Sequence, residues 1–328
     1  GSDYTAAIFG AALDADQIQI WTDVDGVMTA DPRKVKKAFS IASMTYEEAM
    51  EMSHFGAKVI HPPTIQPALE KKIPLLIKNT FKPEHAGTFI STKSSDPAFL
   101  IKGISSIDRI SLLTLQGSGM VGVAGISARL FGALSQSKVN VILITQGSSE
   151  HTISFAVKPD DSSIAQKAIE EAFNLEIRAK LIEKIRVEND LSIIAVIGEN
   201  MRNTPGVSGR LFQALGKNGI SVVATAQGSS ELNISTVIHC NDLDKALNSL
   251  HQAFFLSDVK TLSVFLIGVG LIGGTLIKQI AKHRDHLRKA RSLEIVVAGI
   301  ANSKKMIFDA DGLSLQKYDE ALGKSVEK

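Results

Sequence analysis

The 328-residue chain contains little cysteine, few aromatic residues and almost no excess of either charge. Its single cysteine, Cys240, excludes an internal disulfide and favours a reducing compartment, which we expect to be the cytoplasm. Aromatic residues make up 5% of the chain, which disfavours platforms for base stacking. A net charge of +2 argues against nucleic-acid binding, because such proteins carry a marked basic excess. No apolar run reaches about 18 residues, so we expect no membrane partner.

The chain is long enough, and apolar enough, to form more than one folded domain. Hydrophobic residues make up 44% of it, and 328 residues leave room for two or three domains of roughly 100–200 residues each. The sequence begins at Gly1 without an initiator methionine and stops at Lys328, shortly after a new fold has begun. We therefore expect an internal fragment of a longer protein.

An internal repeat dominates the middle of the chain. Residues 110–157 align without a gap onto residues 191–238, and 18 of the 48 positions are identical. Each copy reads as strand, glycine-containing loop, helix, strand, tight turn, strand and helix, which is the order of a ferredoxin-like α+β module. The first strands are predicted at Ser111–Leu115 and Ser192–Ile197, and the middle strands at 139–145 and 222–226.

The loop after the first strand of each copy favours binding of a small carboxylate. A glycine there precedes a helix, and the unpaired backbone amides at a helix N-terminus attract anions. The following strand ends in Gln-Gly-Ser-Ser-Glu in both copies, so its glutamine can reach a small polar group, although the same turn could be a plain hairpin. The candidate effector-binding residues are Gly122, Val123, Gly125, Ile126 and Gln146 in the first copy, and Asn203, Thr204, Gly206, Val207 and Gln227 in the second.

The repeated pattern resembles the ACT domain, the amino-acid-sensing module of biosynthetic enzymes. A lysine effector would require a carboxylate on the sensing strand, and neither residues 141–144 nor residues 222–225 provide one, so L-threonine is the expected effector. The copies differ where Val123-Ala124 replaces Thr204-Pro205, which leaves open which copy binds it. The resemblance also implies a homo-oligomer, a dimer or tetramer, formed through these modules.

Residues 1–90 have a different chemistry. A strand over 17–22 runs into an aspartate-rich loop, and such loops suit a magnesium-bound nucleotide. The spacing of a calcium loop is absent, and no protein metal site is predicted. Four stretches stand in this order: Gly-Ser-Asp-Tyr-Thr-Ala from residue 1, Trp-Thr-Asp-Val-Asp-Gly from 21, Thr-Ala-Asp-Pro-Arg from 29 and Phe-Gly-Ala-Lys-Val-Ile-His-Pro from 55.

These four stretches resemble the C-terminal half of the aspartate kinase catalytic domain, which has the amino-acid-kinase fold. The resemblance implies that Ser2 and Asp3 lie at the aspartate and phosphate end of the site. It also implies contacts to Mg-ATP, from Thr22, Asp23 and Arg33 to ATP and from Lys58 to a phosphate. The glutamates at 47, 48 and 51 are predicted to form a solvated helix face.

The end of the chain carries a dinucleotide-binding pattern. A buried strand at 262–267 runs into Gly-Val-Gly-Leu-Ile-Gly and a helix over 275–290, the context that the fingerprint requires, although glycines can also serve close packing alone. The next strand, 294–300, ends without an acid and with lysines, which favours NADP and leaves NAD open. The candidate cofactor-binding residues are Gly268, Gly270, Leu271, Ile272, Gly273, Asn302, Ser303 and Lys304. This segment resembles the start of homoserine dehydrogenase.

The order of the segments resembles the bifunctional aspartate kinase–homoserine dehydrogenases. The predicted divisions are 1–90 (kinase part), 91–182 and 183–258 (ACT modules) and 259–328 (cofactor-binding part). The fold class is thus α/β and α+β, with a partial amino-acid-kinase fold, tandem ferredoxin-like ACT modules and an incomplete Rossmann start.

The resemblance implies phosphorylation of L-aspartate by ATP and reduction of aspartate semialdehyde to homoserine with NAD(P)H, on the route to threonine and methionine. It also implies feedback inhibition by threonine, and we expect the fragment alone to be inactive. Two alternatives remain open: a non-enzymatic amino-acid-sensing ACT protein, and a bifunctional relative that is insensitive to threonine.

Overall fold

The computed structural model describes residues 2–56, 62–93, 100–148, 150–201, 204–229, 232–256, 260–291, 293–309, 312–315 and 318–325. The chain divides into two compact units, Gly1–Phe255 and Leu256–Lys328. Among the described residues, no helix combines the length and the apolar character needed to cross a membrane.

The first unit begins with a four-stranded sheet in the kinase-like segment. Its elements are α1 (Ser2–Ala12), β1 (Ile18–Thr22), β2 (Ser43–Thr45), α2 (Tyr46–His54), α3 (Pro62–Lys71), β3 (Leu75–Asn79) and β4 (Thr88–Ser91). The strand order is β1-β3-β4-β2, and β1 is parallel to β3. Because two parallel strands end at the same edge of a sheet, Thr22 and Asn79 lie side by side.

The repeat folds into one six-stranded antiparallel sheet. Its elements are β5 (Gly103–Gln116), α4 (Ile126–Gln136), β6 (Leu143–Gln146), β7 (Thr152–Val157), α5 (Ser162–Ala172), α6 (Asn174–Arg178), β8 (Arg186–Ile197), α7 (Val207–Lys217), β9 (Ala224–Gln227), β10 (Asn233–His239) and α8 (Leu243–Phe255). The strand order is β6-β7-β5-β8-β10-β9. The two predicted ferredoxin-like modules are confirmed, and they share this sheet.

Strands β5 and β8 are longer than the predicted first strands of the modules. Near one end of the pair Gly103 faces Ile197, and near the other end Thr114 faces Arg186. Each long strand therefore serves both modules, one half in each. The start of β5 escaped prediction because its Ser-Ser-Ile-Asp-Arg stretch has no apolar run. The predicted divisions at 90, 182 and 258 stay predictions.

The middle strands begin later than the sequence predicted. β6 starts at Leu143 instead of residue 139, because the Val139 amide donates to the Leu134 carbonyl (3.0 Å) and so completes the end of α4. In the second copy the Ile220 amide makes the same kind of bond to Leu215 (3.1 Å). β-Branched residues favour a strand, but here their backbone amides first satisfy the last carbonyls of the preceding helix. The strand therefore begins a few residues later.

Each module has its own apolar core, and equivalent positions fill it. Leu130 and Leu134 of α4 are buried, as are Leu211 and Leu215 of α7, at the helical spacing that the sequence predicted. A third cluster joins the kinase-like segment to the sheet, since it contains both Met52 of α2 and Ile197 of β8. The first unit is therefore held together by shared apolar burial.

The predicted solvated face of α2 is wrong at Glu48. Glu47 is exposed, whereas Glu48 is 1% exposed. The Glu48 carboxylate accepts the Thr45 amide (2.9 Å), and the Thr45 hydroxyl accepts the Glu48 amide (3.2 Å), a reciprocal capping box that begins the helix. Burial of the carboxylate is tolerated because backbone amides satisfy it.

The second unit contains the predicted strand–turn–helix–strand sequence. Its elements are β11 (Lys260–Ile267), α9 (Leu271–Arg291), β12 (Leu293–Ala301), β13 (Met306–Phe308) and α10 (Tyr318–Lys324). β11 and β12 are parallel, and β13 runs antiparallel to β12. A small core that includes Ile277 and Val297 lies between α9 and the sheet.

The core of the first module should be sensitive to truncation. We expect Leu130→Ala to lower the free energy of unfolding by about 2–5 kcal/mol, because Leu130 is fully buried and its loss leaves a cavity. Leu175→Ala is the matched control; Leu175 is 78% exposed, so its change should stay within about 0.5 kcal/mol. Urea unfolding followed by circular dichroism measures both, and equal losses would contradict this assignment of the core.

Candidate functional site

The first repeat copy contains a pocket of about 520 Å³ between the loop after β5, the start of α4 and the end of β6. All five candidate effector residues of this copy line the pocket, so the structure brings together residues from two separate stretches of sequence. The remaining lining residues are Met120, Ala124, Ser127, Ala128, Glu150 and Ile153.

The glycines of this loop are needed for their backbone conformation. Gly122 has φ +70° and Gly125 has φ +90°, the left-handed region that other residues rarely adopt. A side chain at either position would meet nothing within 4 Å, so space is not the constraint. Gly125 directly precedes α4, whose first backbone amides are therefore available to an anion at the helix start.

A carboxylate of the protein already contacts this loop. The Gly122 amide donates to the Glu150 side chain at 3.0 Å, and Glu150 itself has φ +57°. Sequence reasoning assigned only the glutamine of the repeated Gln-Gly-Ser-Ser-Glu turn and missed Glu150. The signal was present, because the glutamate recurs in both copies.

In the second copy, too, the end of the middle strand (β9) lies against the start of the first helix (α7). The Ser208 hydroxyl in the first turn of α7 donates to the Gln227 side-chain oxygen at 3.2 Å. Gly206 precedes α7 with φ +88°, and the first helical residue, Val207, is buried. Thr204 is exposed in the loop, and the predicted Asn203 lies outside the described residues.

The candidate kinase residues lie at two places. Ser2 and Asp3 form the first turn of α1, where the Ser2 hydroxyl donates to Asp3 (3.2 Å). Thr22 ends β1 and its hydroxyl donates to Asp23 (3.1 Å). Across the described parts of the chain, no hydrogen bond or ion pair joins these two groups. Lys58 is outside the described residues.

Arg33 is paired with a neighbouring carboxylate. Its guanidinium donates to both oxygens of Asp31, at 3.0 and 2.7 Å. These hydrogen bonds hold the pKa of the Asp31 carboxyl below its usual value. The Arg33 side chain is 77% exposed, so it can exchange Asp31 for another anion.

Three further polar residues stand beside Thr22 at the carboxyl edge of the sheet. Asp25 accepts from Asn79 (2.5 Å) and from Lys82 (3.0 Å), and these bonds lower the pKa of Asp25. Asn79 and Lys82 were not predicted from the sequence, although such residues gather where adjacent parallel strands end. Among the described residues, no group of three or more metal-binding side chains is arranged to hold an ion.

In the second unit the three predicted glycines have distinct geometries. Gly268 directly follows β11 and has φ +100°. A Cβ on Gly273 would lie 1.9 Å from the Gly268 carbonyl oxygen, so this glycine allows close contact of turn and helix. A Cβ on Gly270 would meet nothing within 4 Å, which leaves open space in front of its backbone. Leu271 and Ile272, at the start of α9, are 90% and 85% exposed.

The end of β12 lies next to this turn. The Gly268 amide donates to the Ala301 carbonyl at 2.7 Å. The side-chain oxygen of Asn302 accepts the amides of Lys304 (2.8 Å) and Lys305 (2.7 Å) and so holds the following turn. Ser303 and Lys304 are exposed there. The edge therefore presents a hydroxyl and a cation.

Comparison with known proteins identifies two families within the chain. Residues 1–79 match the amino acid kinase family, and residues 113–173 and 194–254 each match an ACT domain. A Haemophilus influenzae bifunctional aspartokinase/homoserine dehydrogenase is 44% identical over 98% of this chain and 39% of its own length. The Arabidopsis thaliana bifunctional aspartokinase/homoserine dehydrogenase 2, chloroplastic, is 42% identical over 98% of this chain and 36% of its own.

Solved structures are similar to most of the chain. Clostridium acetobutylicum aspartate kinase superposes with a TM-score of 0.70 at 29% identity, covering 77% of this chain and 58% of that one. E. coli aspartokinase III is similar in complex with aspartate and ADP (TM-score 0.66, 30% identity, 78% of this chain and 56% of that one). Its complex with lysine and aspartate gives 0.62 and 32%, with 78% and 55% covered.

The chain spans less than two fifths of the length of the two bifunctional relatives. It is homologous to the bifunctional aspartokinase/homoserine dehydrogenases along nearly its whole length, and it carries an amino acid kinase segment followed by two ACT domains.

Proposed function

We propose that this chain is the regulatory core of a protein that phosphorylates L-aspartate with ATP and reduces aspartate semialdehyde to homoserine with NAD(P)H. In this proposal L-threonine binds the ACT domains and inhibits. The observation that carries it is the pocket of the first ACT domain, which the five candidate effector residues of that copy line. The homologues support the two flanking activities.

The pocket can recognise both ends of a small polar amino acid. Amides of the loop and of the first turn of α4 would hold the α-carboxylate, through hydrogen bonds and the helix dipole. Gln146 also lines the pocket, and its side-chain amide can bond the threonine hydroxyl. The Glu150 carboxylate occupies the Gly122 amide, so an incoming carboxylate at that amide must displace it.

L-lysine is a second candidate effector, and Glu150 is the observation that favours it. The sequence analysis rejected lysine because the sensing strand lacks a carboxylate, yet the structure places Glu150 at the same pocket. A carboxylate there can pair with an ammonium group. E. coli aspartokinase III, whose fold is similar, was solved in complex with lysine and aspartate.

The kinase segment provides groups that position and neutralise a nucleotide. Phosphoryl transfer depends mainly on positioning reactants and spreading charge, which suits Arg33 and Lys82. Arg33 would exchange its pairing with Asp31 for a phosphate, and Thr22 and Asp23 would contact ATP at the carboxyl edge of the sheet. Mg²⁺ would be held chiefly by the phosphates of ATP. Ser2 and Asp3 would face the substrate aspartate.

The turn after β11 fits a dinucleotide. The open space at Gly270 admits a pyrophosphate close to the backbone, and the start of α9 attracts its charge. When bound, the cofactor supplies hydride for reduction of the semialdehyde. Ser303 and Lys304 favour the 2′-phosphate of NADP over the bare ribose of NAD, since the edge carries a cation instead of an acid.

The remaining proposals concern assembly and location. We infer a homo-oligomer, a dimer or tetramer, formed through the ACT domains. From the single cysteine we infer a reducing compartment. The cytoplasm fits this inference, and so does a chloroplast, which the name of the Arabidopsis relative mentions.

Removal of either glutamine should weaken threonine binding. We expect Gln146→Ala and Gln227→Ala each to reduce the affinity for L-threonine roughly three- to tenfold, the effect of one neutral hydrogen bond. Gln213→Ala is the control, because Gln213 is exposed on α7 away from the strand end. Isothermal titration calorimetry with threonine, lysine and methionine measures the affinities, and no heat with any of the three would refute the sensing proposal.

Glu150→Ala separates the two candidate effectors. Loss of the competing carboxylate should raise the affinity for L-threonine roughly threefold or more, whereas L-lysine would lose an ion-pair partner and bind more weakly. Glu171→Ala on α5 removes an exposed charge elsewhere and should change neither affinity. Isothermal titration calorimetry with L-threonine and L-lysine measures both affinities. A fall in threonine affinity would show that Glu150 contacts threonine instead of competing with it.

The glycine turn can be tested by two substitutions. We expect Gly270→Ala to keep the fold and to weaken NADPH binding at least roughly tenfold, because its Cβ fills the open space. Gly273→Ala should lower the melting temperature instead, since its Cβ overlaps the Gly268 carbonyl. Gly323→Ala on α10 is a control with open surroundings. Fluorescence titration with NADPH and thermal melting give both readouts, and equal NADPH binding by Gly270→Ala and wild type would contradict the cofactor site.

A further inference from the structure

Helix α2 of the kinase segment contacts the second ACT domain through a buried carboxylate. One oxygen of Glu48 accepts the Thr45 amide of its own capping box, at 2.9 Å. The other accepts the backbone amide of Glu199, also at 2.9 Å and 151 residues further along the chain. A capping box needs only the first bond. The second one ties the start of α2 to the loop that follows β8.

A second glutamate on the same face of α2 makes a parallel contact. Glu51 lies three residues after Glu48 and therefore on the same side of the helix. Its carboxylate accepts from the side-chain amide of Asn233 at 2.6 Å. Asn233 is the first residue of β10, six residues after Gln227 at the end of β9. The helix thus contacts two stretches of the second ACT domain at once.

These two stretches border the candidate effector site of the second ACT domain. Glu199 begins the loop that leads to Gly206 and the start of α7. Asn233 begins β10, the strand that follows β9, and β9 ends at Gln227. The Gly198 amide donates to the Leu232 carbonyl (3.0 Å), which joins the two stretches to each other. A ligand that rearranges either stretch must therefore strain or break contacts with α2.

The other end of α2 leads toward the predicted nucleotide contacts. The Ser105 hydroxyl donates to the Met52 carbonyl (3.2 Å), and Gly56 follows with φ +107°. A Cβ on Gly56 would lie 2.5 Å from the Ser106 carbonyl, so the chain is packed closely against β5 there. The next residues include Lys58, which the family resemblance assigns to a phosphate. Gly56 thus links the end of α2 to β5 of the sheet.

The contact is specific to the second ACT domain. The residues equivalent to Glu199 and Asn233 in the first copy are Ser118 and Thr152, and within the described part of the chain neither is hydrogen-bonded to α2. Helix α8 of the second domain also reaches the kinase segment, since the Thr29 hydroxyl and His251 are 2.9 Å apart. The contacts with the kinase segment therefore favour the second copy.

We propose that Glu48 and Glu51 are positioning residues that transmit the ligand state of the second ACT domain to the kinase segment. The inference rests on the proposed function in taking the second domain as an effector site. Its structural basis, the hydrogen bonds from α2 to Glu199 and Asn233, is independent of which amino acid binds. Two variants break the contacts from opposite sides: Glu48→Gln in the kinase segment and Asn233→Ala in the ACT domain.

Hydrogen–deuterium exchange of the full chain without ligand tests the coupling. Gln at 48 presents one carbonyl oxygen and one amide NH2 group, so one of the two backbone amide donors loses its acceptor. We expect Glu48→Gln to speed exchange at residues 198–201, and Asn233→Ala to speed exchange within α2, each roughly tenfold. Glu47→Gln is the matched control, with the same charge change at an exposed position of α2. If the effect of each variant stays within its own segment, the proposal is wrong.

The same experiment with saturating L-threonine tests transmission. In the wild-type chain we expect threonine to change exchange in α2 and α3. In Glu48→Gln that change should disappear, while calorimetry still finds threonine affinity within about twofold of wild type, a result that a merely structural role would not give. Threonine binding without any change in α2 overturns the proposal and leaves the sensing function intact. Absence of threonine binding refutes the sensing function. In that case the exchange experiment without ligand alone decides whether α2 and the second ACT domain are coupled.

Discussion

The antiparallel pairing of β5 with β8 is the constraint on which the rest of the first unit depends. It runs from Gly103 opposite Ile197 to Thr114 opposite Arg186, and each strand contributes one half to each ACT domain. The loops with the candidate effector residues follow the carboxyl ends of these two strands. Because antiparallel strands end at opposite edges, the pairing sends the two loops to opposite ends of the shared pair.

This geometry makes two similar sequences unequal in their surroundings. β5 begins at Gly103, beside the end of β8, so the kinase segment that precedes β5 enters the sheet next to the second loop. The apolar cluster containing Met52 and Ile197 and the bond from Glu199 to Glu48 both follow from that placement. The second ACT domain thus contacts the kinase segment because the chain passes directly from that segment into β5, beside the end of β8.

The sequence predicted what depends on local pattern and repetition. Helical spacing at Leu130 and Leu211, the glycines before α4 and α7, and the strand–glycine–helix order of the second unit were all readable. The polar first half of β5 was not, because its pairing is supplied by a strand over eighty residues away. Glu48 resembled a solvated residue for the same reason: its second partner is remote in sequence.

In both ACT loops a backbone amide binds a carboxylate, but the two carboxylates differ in burial. In each, a backbone amide after the first strand donates to a carboxylate of the protein, Gly122 to Glu150 and Glu199 to Glu48. Glu150 is exposed and belongs to a turn of the same domain, so a free amino acid can compete with it in water. Glu48 is buried and is also committed to a helix cap, so replacing it would leave a buried carboxylate short of a donor. The first loop therefore offers the Gly122 amide to a ligand, whereas the second loop is anchored to the kinase segment at Glu199, ahead of its own candidate ligand residues Thr204, Gly206 and Val207.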